Sequence, residues 1–161
     1  MKKTAIILLA FGLFSGITSI AAAGEYASET IGVSYDIKEI NNLEIENPNM
    51  NFVIEGGSSG GNSLTETVIN YYNIATNHLP SVKLTAKLNA DMPAGITLHM
   101  DAETPGTGTK NPGYLSATPH DVITGITPVS ATHKKMEFTF TVTAEANPTP
   151  GSRSVILTLT D

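Results

Sequence analysis

The stretch Thr97-Leu98-His99-Met100-Asp101-Ala102-Glu103 sets an imidazole and two carboxylates at alternate positions. On a β-strand His99, Asp101 and Glu103 project from one face, and that trio is a ligand set for a divalent cation. Same-face neighbours on a strand stand about 6.6 Å apart, at roughly 3.3 Å of rise per residue, which is wide for three ligands on one ion. The plainer expectation is a solvated polar face and no metal. His120-Asp121 follows Pro119 and would orient a general base, but no nucleophile motif stands beside it, so it reads as turn chemistry. No G-x-S-x-G elbow occurs among the serines. Ser58 and Ser59 lie within Gly-Gly-Ser-Ser-Gly-Gly, which lacks the Lys-Ser/Thr ending of a phosphate loop. Alternating threonines (Thr139, Thr141, Thr143; Thr158, Thr160) would make a hydroxyl array of the kind that meets sugar or ice, yet threonine is also an ordinary residue of exposed strand faces. Five tyrosines without a tryptophan make a poor stacking platform for carbohydrate. The expectation is a protein that is not an enzyme and needs no cofactor.

Lys2 and Lys3 open the chain, Ala5 to Phe14 form an apolar run broken only by Gly12, and Ala21-Ala22-Ala23 supplies small residues. This is the pattern of a secretory signal peptide over 1–23, and the run is short of the roughly 20 apolar residues of a membrane span. Losing Lys2 and Lys3 leaves seven cations against fifteen carboxylates. So acidic a chain has no electrostatic footprint for nucleic acid and no polybasic cluster for anionic lipid. Without cysteine, a secreted chain must hold together by packing or by assembly.

Beyond the signal, apolar residues recur with period two, the mark of half-buried strands. Ile31, Val33, Tyr35 and Ile37 alternate with Gly32, Ser34, Asp36 and Lys38. Leu43 and Ile45 form a short strand before Asn47-Pro48-Asn49, and Phe52 to Ile54 form another short apolar piece. Glu55 to Asn62 has the Gly/Ser composition of a flexible connector. Strands are then expected over Thr67–Ala75, Val82–Leu88 and Ile96–Ala102, with weaker ones at Tyr114–Ala117 and Val122–Ile126. Two strong strands follow: Met136 to Ala144, and one that points Val155, Leu157 and Leu159 to one side. Seven to nine short strands in one domain predict an all-β, immunoglobulin-like sandwich, incomplete if its first strand belongs elsewhere.

The placing of Glu29-Thr-Ile-Gly-Val-Ser-Tyr-Asp-Ile-Lys-Glu-Ile40 at one end and Gly151-Ser-Arg-Ser-Val-Ile-Leu-Thr-Leu-Thr-Asp161 at the other resembles the pilin subunits of chaperone–usher fimbriae, in particular the cysteine-free colonisation-factor and archaic types. The resemblance implies a donor extension at 24–40 and an immunoglobulin-like domain at 41–161. It implies that Ile31, Val33, Tyr35 and Ile37 are donor side chains, and that Leu43, Ile45, Val155, Leu157 and Leu159 line an acceptor groove. It further implies a homopolymeric fimbria at the cell surface, reached through the periplasm with the help of a chaperone and an outer-membrane usher, and serving adhesion or biofilm formation. Two departures stand out: Gly32 lies on the face opposite Ile31 and Val33, and the last residues are Leu159-Thr160-Asp161, without a penultimate aromatic. The alternative is a self-contained secreted or periplasmic β-sandwich that binds a ligand.

Overall fold

In a computed structural model of the chain, residues 31–54, 63–147 and 150–161 are described. The signal segment 1–23, the Glu55–Asn62 connector with Ser58 and Ser59, and Pro148-Thr149 of the last turn lie outside the described residues. The chain divides into two units, Met1–Asp36 and Ile37–Asp161. Of the first unit, Ile31 to Asp36 are described, and they carry no regular secondary structure.

The second unit is all-β, and among the described residues it has no helix. The described residues form nine strands: β1 (Asn41–Ile45), β2 (Ser63–Thr76), β3 (Val82–Leu88), β4 (Ile96–Ala102), β5 (Thr109–Lys110), β6 (Gly113–Tyr114), β7 (His120–Ile126), β8 (Val129–Thr143) and β9 (Val155–Thr160). They form two antiparallel sheets, one in the order β1-β2-β8-β4-β6 and the other in the order β5-β7-β3-β9.

Alternation dictates the packing. On β3 the inward Val82, Leu84, Ala86 and Leu88 are buried, while Lys83 and Lys87 are half-exposed. On the facing sheet, Tyr72, Ile74, Leu98, Met100, Met136 and Phe138 complete the core with Val122 and Ile126 of β7. Burying each such side chain is worth about 1.5–3 kcal/mol. The polar groups that reach this interior are satisfied: the hydroxyls of Thr76 and Thr85 donate to Asn41 Oδ1 and the Thr158 carbonyl. The Tyr72 hydroxyl donates to the Glu103 carbonyl at 2.6 Å, and burial pushes the phenol well above the ordinary tyrosine range. Buried Asn70 donates to the Asn47 carbonyl at 2.6 Å, and its Oδ1 accepts from the Tyr71 amide. This fixes the turn after β1.

The main strands expected from alternation are present, but only Tyr114 of the strand expected over Tyr114–Ala117 lies in one, Ile31–Ile37 form none, and His120-Asp121, expected as a turn, open β7. β8 begins at Val129, seven residues before Met136. Its first half bends through His133, whose φ of 54° lies in the left-handed region, opposite a shift in the β2–β8 register between Tyr72 and Ile74. The Asn73 Oδ1 accepts from the His133 amide at 2.8 Å, and the Glu46 carboxylate faces the ring at 3.1 Å. Phe52 to Ile54 forms no strand; Phe52 instead stacks on Phe140, ring centroids 5.0 Å apart. The loop after β4 adds the two-residue strands β5 and β6.

Candidate functional site

Each sheet has two edges, and β1 and β9 are the edges on one side of the domain. β1 pairs with β2, β9 pairs with β3, and the two edge strands face each other. Their inward residues are apolar side chains that the two sheets leave incompletely covered. Leu43, Ile45, Val155, Leu157 and Leu159 all pack against the core yet remain only partly buried. The residues opposite them in register, such as Ile74, Tyr72, Leu88, Ala86 and Leu84, are fully covered. The contrast places the incomplete cover at the two edge strands.

The backbone is open along the same line. In an antiparallel pair, alternate residues turn both N–H and C=O toward the partner. The Glu46 amide donates to the Tyr71 carbonyl at 3.0 Å and the Asn77 amide to the Ile40 carbonyl at 3.2 Å. Even-numbered residues of β1 therefore face β2, and Leu43 and Ile45 turn their peptide groups outward. The Asn89 amide donates to the Ser154 carbonyl at 3.0 Å, so Ile156, Thr158 and Thr160 face β3. Val155, Leu157 and Leu159 consequently present their peptide groups to the open edge. Among the described residues, the same five thus offer half-covered apolar side chains and backbone groups turned away from their strand partners.

Ile31, Val33, Tyr35 and Ile37 show the complementary condition. They are 86%, 80%, 83% and 72% exposed, a run of large apolar side chains in water where most such residues are inside. From Ile31 to Ile37 an extended chain spans about 20 Å, and six-residue β9 spans about 17 Å.

His99 and Asp101 share the outer face of β4 and Glu103 follows its last residue, but each is engaged separately. His99 meets Tyr114 edge-on at 5.2 Å. Asp101 accepts from Lys110 Nζ at 2.9 and 3.1 Å. Glu103 accepts from Lys134 Nζ at 2.9 Å, and that hydrogen bond, followed by one from the Lys135 amide, holds its carboxyl below the usual range. Among the described residues no group of three His, Asp or Glu is placed to hold a metal. A shallow depression of about 260 Å³ lies beside these ion pairs, lined by Asp101, Glu103, Thr104, Lys110 and Lys135. His120 Nε2 lies 2.8 Å from the Asn111 carbonyl oxygen, bracing the β5–β6 loop. The threonine array is regular, with Thr65 and Thr67 hydroxyls 3.3 Å from those of Thr141 and Thr139.

Among the described residues no helix is long and apolar enough to cross a membrane. No family model matches the chain, and neither a curated protein nor a solved structure matches it.

Proposed function

We propose that this chain is the structural subunit of a cell-surface filament, built on an incomplete immunoglobulin-like domain and assembled by donor-strand complementation. Residues 31–37 of one copy lie in the groove between β1 and β9 of the next, and Ile31, Val33, Tyr35 and Ile37 complete the neighbour's core. The observation that carries this reading is the match of two incomplete surfaces: a half-covered apolar groove with peptide groups turned outward along both rims, and an exposed alternating segment of similar length.

Strand addition at a sheet edge joins main-chain hydrogen bonds to side chains seated in the groove. Four buried apolar side chains at roughly 1.5–3 kcal/mol each make a durable joint. A head-to-tail contact that does not close on itself propagates as a filament. The acidic, cysteine-free composition suits a surface polymer held by packing alone, and a secretory leader over 1–23 would carry the subunit to a periplasmic chaperone and an outer-membrane usher.

The test is a denaturing gel of material sheared from the source cells, unboiled beside boiled. A ladder at monomer steps that collapses on boiling is expected. A single monomer band in both lanes would overturn the filament reading in favour of a self-contained sandwich.

A further inference from the structure

Lys38, Glu39 and Ile40 join the extension to β1, and each is tied to the residues that follow β2. The Ile40 amide donates to Asn77 Oδ1 at 2.7 Å, and Asn77 Nδ2 donates to the Lys38 carbonyl at 2.8 Å. The Asn77 amide donates to the Ile40 carbonyl at 3.2 Å. Next to it, His78 Nδ1 lies 3.1 Å from the Glu39 carboxylate and Nε2 lies 3.2 Å from that of Asp161. A primary amide carries a donor and an acceptor side by side, so the Asn77 side chain serves as one more rung of the β1–β2 ladder beyond its last backbone pair. Residues 38–40 are thereby held as a continuation of β1.

This bears on which copy fills the groove. Because β1 is itself a rim of the groove, a chain that filled its own groove would have to double back beside β1. Hairpin reversals take two to five residues, and the residues that would form this one are Lys38 to Ile40. A turn there rotates the Lys38 carbonyl and the Ile40 amide away from Asn77 and breaks both side-chain hydrogen bonds.

We propose that Asn77 is a directional clamp, which keeps the extension from turning back into its own groove and so reserves the groove for a second copy. The proposal rests on the filament reading above. Asn77 is a positioning residue: it lies in neither the donor segment nor the groove lining.

The test compares the full chain with Asn77→Ala, expressed alike, by unboiled gel and by hydrogen exchange over Ile31–Ile37 in the monomer fraction. Wild type is expected to give a ladder, with freely exchanging amides in its residual monomer. Asn77→Ala is expected to raise the monomer share roughly tenfold, the worth of one to two net hydrogen bonds, with Ile31–Ile37 protected in that monomer. A merely structural role would give more monomer without that protection, and so overturns the clamp. Should Asn77→Ala not fold, a short Gly/Ser insertion between Ile37 and Lys38 leaves the clamp intact and supplies the turn upstream of it. Protected monomer from the insertion supports the proposal, and a wild-type ladder without protected monomer overturns it. A wild-type ladder with Asn77→Ala unchanged overturns the clamp alone, whereas absence of a ladder from wild type overturns the filament reading.

Discussion

The two sides of the domain treat the same hazard in opposite ways. An unpaired strand edge is a template for another chain, and proteins blunt it with short strands, proline and lysine. On one side, β5 and β6 are two residues each, Lys110 and Pro112 fall among them, and the chain crosses from one sheet to the other within Thr109–Tyr114. Asn111 seals that crossing: its amide and Nδ2 donate to the carbonyls of Val122 and Asp121, at 2.7 and 2.9 Å. On the other side, β9 runs for six residues without proline or charge, and its inward face is left half-covered. The domain has the means to close an edge and uses them on one side. The β1–β9 side is the one that the filament proposal puts to use.

The comparison breaks hardest where a charge enters the open side. Val33→Asp in the donor segment, or Leu157→Asp in the groove, should lower polymer yield at least about a hundredfold, because each buries an unpaired carboxylate in the joint. Tyr114→Asp, at the closed edge where Tyr114 is 68% exposed, should leave the unboiled ladder as in wild type. Polymer from Val33→Asp equal to wild type would overturn the donor assignment. Removing residues 24–40 should also abolish the ladder, while the remaining domain keeps a cooperative thermal transition. Loss of that transition would mean that the segment is a core strand of its own chain.

Subtler changes sharpen the contrast. A Cβ at Gly113 would stand 2.5 Å from His120 Nε2, so Gly113→Ala must displace the ring that braces the Asn111 carbonyl. The expected cost is about 1 kcal/mol in urea unfolding, with polymer yield unchanged. The smallest effect belongs to Glu103. Its folded pKa is depressed, so its contribution is fully present above the ordinary carboxylate value and vanishes as pH falls through the lower folded value. The side chain is exposed, and salt screens the effect. The Tm difference between wild type and Glu103→Gln should be small at neutral pH and absent in strong acid; a difference that persists there would refute the ion-pair account.

Much of the fold was legible because burial on one face writes a period of two into the sequence. Val82–Leu88, Ile96–Ala102 and the Val155–Leu159 face were readable on that ground. The first half of β8 was not, because Val129–Lys135 holds polar residues and a left-handed His133, and a bulge interrupts the alternation on which the reading depends. Phe52 showed its hydrophobicity but not its partner, since stacking on Phe140 is a contact across 88 residues. The alternate spacing of His99, Asp101 and Glu103 was visible; the lysines that occupy the two carboxylates come from β5 and β8. Alternation also pointed to the inward residues of β1 and β9, because each faces the core. Asn77 gave no such signal, since an asparagine ahead of His-Leu-Pro looks like any turn residue.

Under the filament proposal, one open side per chain has a consequence for ends. Copies joined head to tail number one more than their joints, so a filament built as proposed would keep a single unfilled groove at one terminus and a single unspent extension at the other. The two termini of such a filament would be chemically distinct, and only one of them would accept a free peptide. A synthetic segment matching residues 28–40 would act there as a chain terminator, capping growth at one end and leaving the other untouched.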